Sequence, residues 1–225
     1  MTEETIRILM TDDHPIIIEG YQNTLLATKK DSQHLVIDIA NTCDQSVEMM
    51  NRSIENEEEY DVLFMDISLP PSEDGEITSG EDLSRYARTI LPNAKIIILT
   101  MFNEPYRIHN IIKEINPEGF VVKSDLTSRE LSSAFQAVVN NPPFYSTTVT
   151  GFLRRTHASD IEIDEIDRKI LYLLSQGIKT KSLTKHLGIS TSSVEKRKKN
   201  LKELFEVEDG QDETLMNEAR KLGFL

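Results

Sequence analysis

The sequence predicts a doubly wound α/β domain of five parallel strands, followed by a smaller all-α domain of four helices. Three observations carry this. Short β-branched apolar runs alternate with amphipathic stretches five times before residue 141. Those runs are nearly continuous in apolar character, as strands buried on both faces are. Beyond residue 141 the runs stop and only helix-like segments remain.

The strand segments are "IRILMT" (6–11), "LVIDIA" (35–40), "YDVLFMD" (60–66), "AKIIILT" (94–100) and "GFVVK" (119–123). Helix-like stretches follow each of them, at 15–27, 44–56, 80–91, 103–115 and 127–140. Pro15 suits the first turn of the first helix, and Asp44 is placed to cap the second. Regular strand–helix alternation implies a parallel sheet with helices on both faces. "NNPPFYSTTVTG" is then rich in turn residues and "FLRRTHASD" is polar, so 142–160 reads as a linker between domains at 1–141 and 161–225. The last domain holds "DEIDRKILYLLSQG", "TKSLTKHLG", "STSSVEKRKKNLKELF" and "DETLMNEARKLG". Three of these end near a glycine (Gly177, Gly188, Gly223), as helix C-termini often do.

Composition excludes several classes. With 38% hydrophobic and 28% charged residues among 225, the chain reads as soluble and globular, long enough for two ordinary domains. Its apolar runs, such as "IIIL" at 96–99, fall far short of the roughly 20 residues that span a bilayer, so no membrane partner is expected. The acidic start, "MTEETIRILM", does not read as a signal peptide. A single cysteine, Cys43, leaves no internal disulfide and suits a reducing, cytoplasmic location. The net charge of −13 is uneven: residues 1–150 carry 11 Lys and Arg against 25 Asp and Glu, residues 151–225 carry 14 against 13. The acidic half repels nucleic acid, so any such partner meets the second half.

In an open α/β sheet, sites form at the carboxyl ends of the strands. Here those ends carry Asp12 and Asp13, Asp66, Thr100 and Lys123. Taken singly, an Asp after a strand is usually a turn residue or helix cap, and Lys123 an ordinary surface lysine. Together, three acids, a hydroxyl and an ammonium converge on one edge. Clustered carboxylates invite a hard divalent cation such as Mg²⁺. An Asp carboxylate can attack phosphorus to give an aspartyl-phosphate, with the cation and Lys123 offsetting charge on the transferring oxygens.

The segments "MTDDHPIIIEGY", "VLFMDISLP", "IIILT" and "GFVVKSD" resemble the four signature segments of a response-regulator receiver domain, over roughly residues 5–140. "DDHP" followed by "EG" resembles the NarL/LuxR-type branch. The resemblance implies a flavodoxin-like fold and a phosphoacceptor at Asp66, served by a sensor histidine kinase. It further implies Mg²⁺ held by Asp12, Asp13, Asp66 and the Ser68 backbone carbonyl. Thr100 becomes the switch hydroxyl, Lys123 the phosphate-pairing lysine and Phe120 the switch aromatic. His14 is placed as a solvent-edge neighbour of the acidic pair. Such a receiver assists its own phosphorylation and dephosphorylation but is not an enzyme in the usual sense. A Mg²⁺-dependent phosphohydrolase is the enzymatic alternative. Ser68 speaks against it, because that chemistry generally wants a second acid close after the nucleophile.

In the second half, "LSQGIKTKSLTKHLGISTSSVEKRKKNLKEL" has helix–turn–helix texture: a short helix at 180–187, a turn at Gly188, and Ser190 as N-cap of a longer helix at 191–205. Val194, Leu201 and Phe205 form its core face. Glu195, Lys196, Lys199, Lys202 and Glu203 fall opposite, with Arg197 and Lys198 flanking. A solvated basic helix in an ordinary bundle reads the same way from charge alone. The arrangement resembles the LuxR-type DNA-binding domain, which implies double-stranded DNA as partner, met as a homodimer after phosphorylation. The expected contacts are Ser193, Glu195, Lys196, Arg197, Lys199 and Lys202, with Glu195 able to accept from cytosine N4. A module that contacts protein through a divergent helix–turn–helix is the non-DNA alternative. Finally, "PSEDGEITSG" after "ISLP" looks like an insertion relative to the family, with Ser79-Gly80 in place of the usual Asp-Gly. Its Glu73, Asp74 and Glu76 are expected beside the phosphoacceptor.

Overall fold

A computed structural model describes residues 4–158 and 161–225, with the side chains of 156–158 left aside. The elements run β1 (Glu4–Thr11), α1 (Pro15–Thr28), β2 (Gln33–Ala40), α2 (Cys43–Glu55), β3 (Val62–Asp66), α3 (Gly80–Ile90), β4 (Lys95–Thr100), α4 (Pro105–Ile115), β5 (Gly119–Val122), α5 (Ser128–Asn140), β6 (Phe144–Tyr145) and α6 (Thr147–Ala158). They continue as α7 (Glu165–Ser175), α8 (Thr180–Leu187), α9 (Thr191–Leu204) and α10 (Asp212–Lys221). Two compact units result: Met1–Asn103 with Asn110–Val149, and Glu104–His109 with Thr150–Leu225. Among the described residues, no helix is long and apolar enough to cross a membrane.

In the first unit all strands pair in parallel, in the order β2-β1-β3-β4-β5-β6. The order reverses between β1 and β3, which opens the crevice where such sheets bind ligands. Every residue of β3 and β5 is buried, which explains their unbroken apolar character. One core cluster packs Ile8, Met10, Phe64, Leu99 and Val121 against Leu25 of α1 and Phe135 of α5. Pro15 does open α1. The cap of α2 is Thr42, whose hydroxyl accepts from Gln45 N at 3.1 Å; Asp44 sits inside the first turn instead.

The sheet has six strands, not the expected five. Residues 142–160, expected as a linker, hold both β6 and α6, while Ser159 and Asp160 lie outside the described residues. The sixth strand is only "FY" between turn formers, too short to carry a pattern of its own. Its partner defines it: Phe144 N donates to Glu118 O at 2.9 Å and Ser146 N to Phe120 O at 3.0 Å.

The second unit buries Ile170, Leu171, Leu183, Val194, Leu201, Phe205, Leu215 and Ala219 as one cluster. The Phe205 and Phe224 rings stack at 5.3 Å, with the Arg168 guanidinium 5.1 Å from the Phe224 centroid. Gly188 ends α8 at φ +65°, a left-handed cap that a side chain would strain. Ser190 then caps α9, accepting from Ser193 N at 3.2 Å.

Candidate functional site

The strand register brings the four predicted strand ends to one edge. Asp66 pairs in register with Leu99, and Thr100 with Val122, which precedes Lys123. The Lys123 ammonium bridges two acids, donating to Asp12 Oδ2 at 2.7 Å and to Asp66 Oδ2 at 2.9 Å. All three side chains are buried. Burial pushes the Asp66 carboxyl above its ordinary value even though Lys123 and the Ser68 N–H, 3.2 Å from Oδ1, pull it down. Burial disfavours the Lys123 ammonium too, but Asp12 and Asp66 outweigh it and raise its pKa.

Asp12 shapes the loop that follows it. Its Oδ1 accepts from His14 N at 3.0 Å, a side-chain turn that opens α1, and Asn41 Nδ2 donates to its carbonyl at 3.0 Å. Asp12, Asp13, His14 and Asp66 each present an oxygen or nitrogen, all within 4.8 Å of one another. The set is carboxylate-rich, and Asp13 Oδ1 is buried without a hydrogen bond among the described residues. His14 Nδ1 lies 2.7 Å from that oxygen, an ion pair only when the imidazole is protonated. An orphaned buried carboxylate oxygen beside two further acids fits a hard divalent cation. His14 sits at the exposed edge, as expected.

Thr100 and Phe120 are both fully buried, and Thr100 Oγ1 accepts from Phe102 N at 3.0 Å. Lys123 opens a 3-10 turn, Lys123–Asp125, whose last residue was not singled out by sequence. The Asp125 carboxylate accepts from Ser146 Oγ at 2.7 Å, Thr148 N at 2.8 Å and Thr148 Oγ1 at 2.9 Å. Burial acts upward on that carboxyl, but these bonds prevail and hold it below the carboxylate range. It therefore binds the first turn of α6 to the turn that carries Lys123.

The inserted loop is closed on itself. Ser72 N donates to Ile77 O at 2.8 Å and Ile77 N to Ser72 Oγ at 3.1 Å. Asp74 accepts from Ser72 Oγ at 2.5 Å and Glu76 N at 2.9 Å, which lowers its pKa and commits the carboxylate to the loop itself. Glu73 N reaches the Asp44 carboxylate at 3.2 Å, and Cys43 Sγ donates to Pro70 O at 3.3 Å. Gly80 ends the loop against Asp66: a Cβ there would lie 1.8 Å from the Asp66 carbonyl oxygen. Glycine at this place is thus a requirement of close backbone approach.

Removing the bridge gives a first expectation. In Lys123→Ala, Asp12 and Asp66 face each other without their cation, at a cost of about 3–5 kcal/mol. The folded carboxyl, already raised, rises further, so the folded state binds protons more tightly than the unfolded chain. Stability is then present below the unfolded pKa and lost as pH rises, so the variant regains stability as pH falls from 7 towards 5. Thermal melts across that range measure it, and a variant whose melting point falls steadily with acid contradicts the bridge.

On α9 the predicted residues divide. Ser193, Glu195, Lys196 and Lys199 are exposed. Arg197 instead pairs with Asp164 at 2.7 Å and Asp167 at 2.9 Å, and Lys202 with Asp212 at 2.6 Å. Lys198 is buried, donating to Asp212 at 2.7 Å and Thr180 Oγ1 at 2.8 Å. Burial pushes Asp212 up, but its hydrogen bonds from Lys198 and Lys202 win and hold its carboxyl down. Lys199 faces Glu203 at 3.6 Å, an exposed pair of little energetic value.

No family model matches the chain. Individual relatives do. Over 205 residues, 90% of this chain and 88% of the relative, it is 28% identical to the transcriptional regulatory protein MctR of Rhizobium johnstonii. It is 25% identical over 198 residues to the transcriptional regulatory protein RcsB of Escherichia coli K12, covering 87% and 86% of the two chains. Over 209 residues it is 23% identical to the oxygen regulatory protein NreC of Staphylococcus epidermidis, covering 87% and 89%. Among solved structures, an RcsB–DNA complex matches with TM-score 0.62 at 23% identity, covering 97% of this chain and 99% of that one. RcsB of Salmonella enterica serovar Typhimurium, bound to promoter P1flhDC with phosphomimetic BeF3⁻, matches with TM-score 0.61 at 24% identity, covering 96% and 98%. At these identities the structural likeness is one of fold.

Proposed function

We infer that this chain, a response regulator of the NarL/LuxR type by its sequence similarity and its fold, accepts a phosphoryl group on Asp66 and thereby controls a DNA-binding domain that regulates transcription. The observation that carries the reading is the Lys123 ammonium bridging buried Asp12 and Asp66 beside the orphaned Asp13 oxygen. A sensor histidine kinase is the donor: an Asp66 oxygen attacks phosphorus, the phosphorus–nitrogen bond of the phosphohistidine breaks, and its electron pair stays on the imidazole. Asp12, Asp13, Asp66 and the Ser68 carbonyl would hold Mg²⁺, which neutralises the incoming phosphoryl oxygens. Lys123 leaves its bridge to pair with one of those oxygens. Thr100 turns to a second, and Phe120 repacks in the space released, a population shift between two packed states. The chain is no enzyme beyond assisting its own acquisition and loss of phosphate. The helices of residues 161–225 read DNA, as a homodimer on paired half-sites. Its place is the cytoplasm, with its kinase and its DNA.

The competing reading keeps the receiver and turns the second unit towards protein. The internal pairing of Arg197, Lys198 and Lys202 favours it, because it leaves α9 few free cations. Selection of genomic fragments by the full chain, with and without beryllofluoride and Mg²⁺, decides between them. Salt-sensitive enrichment that strengthens with beryllofluoride is expected. No salt-sensitive DNA binding in either state removes the transcription-factor reading and leaves the protein-binding one.

A further inference from the structure

Residues Val194, Lys198, Leu201 and Phe205 are buried and fix the inward face of α9. At about 100° per residue the opposite face carries Ser193, Lys196, Lys199, Asn200 and Glu203. Of these, Ser193, Lys196 and Asn200 line one hollow of about 460 Å³ with Asp164, Asp167 and Arg197. The two acids there both pair with the single Arg197 guanidinium. The Ser193 hydroxyl is engaged with Ser190 Oγ at 2.9 Å. Lys196 and Asn200 are exposed and make no hydrogen bond or ion pair with another described residue.

Of the five cations on α9, three serve the unit itself: Arg197 ties α9 to α7, while Lys198 and Lys202 tie it to α10. Sequence spacing cannot reveal this, since the acids come from other helices. Glu195 is exposed but turned to the Lys198 flank, 4.0 Å from that ammonium, so it lies off the outward face. The outward face therefore offers two exposed ammoniums, Lys196 and Lys199, the second loosely paired with Glu203 at 3.6 Å, and one free carboxamide. A carboxamide's paired donor and acceptor match the N6 and N7 edge of adenine in the major groove, and an ammonium suits a phosphate.

We propose that Asn200 reads an adenine, that Lys196 anchors the helix to a phosphate, and that Arg197, Lys198 and Lys202 are positioning residues that do not touch DNA. The proposal rests on the reading of the second unit as a DNA-binding domain. It adds a residue that spacing did not single out and withdraws Arg197 and Lys202 from the expected contacts.

The experiment selects from a pool of random double-stranded fragments with the full chain, in beryllofluoride and Mg²⁺, for the wild type, Asn200→Ala, Lys196→Gln and Arg197→Gln. Salt titrations on the selected and scrambled sequences follow. Asn200→Ala should lose an A·T preference of roughly tenfold at one position per half-site, with scrambled-sequence affinity and salt slope unchanged. Lys196→Gln should weaken binding to every sequence and reduce the salt slope by about 0.9 per copy. Arg197→Gln should leave the slope alone. Should it fail to fold, Arg197→Met, which keeps the stem and removes the charge, replaces it and must likewise leave the slope unchanged. An Asn200→Ala protein that selects the same motif with the same discrimination overturns the base contact. A reduced slope in the Arg197 variant overturns its positioning role. A wild type that selects no DNA overturns the DNA-binding reading itself, an outcome distinct from both.

Discussion

Asp66→Asn is expected to acquire no acid-labile phosphate from a small phosphodonor in Mg²⁺, and to fold at least as stably as the wild type. The first half follows from chemistry: a carboxamide oxygen is too weak a nucleophile to displace a phosphoryl leaving group. The second follows from electrostatics. Burial raises the Asp66 carboxyl, so the folded state holds its proton more tightly than the unfolded chain does. Stability from that group is fully present below the unfolded pKa and lost as pH rises through the folded one. At neutral pH the wild type therefore carries the penalty of a buried charge. Asn removes it, while its amide oxygen still accepts from Lys123, and Lys123 keeps its bond to Asp12 at 2.7 Å. Phosphate incorporation and a thermal melt on the same preparation measure both halves. Undiminished incorporation places the phosphoacceptor elsewhere.

Gly80→Ala is expected to damage stability and site together. The added methyl meets the Asp66 carbonyl oxygen at 1.8 Å, its carbon at 2.8 Å and Ile67 Cα at 2.9 Å. All three are backbone atoms, so no rotamer change relieves the clash. Overpacking of this kind costs about 3 kcal/mol or more, and a melting point roughly 10 °C lower follows for a unit of this size. The relieving movement displaces Asp66 itself, where about 1 Å of misplacement can cost on the order of a hundredfold in rate. Phosphorylation below the melting point should therefore be slowed at least tenfold in the fraction that remains folded. A variant that phosphorylates normally would show that Asp66 tolerates the shift.

The strand ends were legible because chemistry sits at a place the topology dictates. Asp12, Asp66, Thr100 and Lys123 each close an apolar run, and parallel register carries all four to one edge. What stayed hidden depends on partners remote in sequence. Arg197 looks like a groove-facing cation until Asp164 and Asp167, on another helix, take it. Lys198 looks like a flank residue until Asp212 and Thr180 draw it inward. That Asp74 turns back on Ser72 was equally hidden, since the loop's own fold decides it. The sixth strand is two residues long and exists only through its neighbour.

The turn Lys123–Asp125 joins two grips in three residues. At one end an ammonium holds the Asp66 carboxylate. At the other a carboxylate holds the first turn of α6, a helix divided between the two compact units. Freeing that turn costs the two hydrogen bonds of Thr148, and withdrawing Asp125 also strands the fully buried Ser146 hydroxyl without its acceptor. The start of that helix is for this reason a welded joint and not a tether. The ammonium that holds Asp66 and the carboxylate that holds Thr148 are carried on one piece of backbone, with no slack between them to absorb a movement.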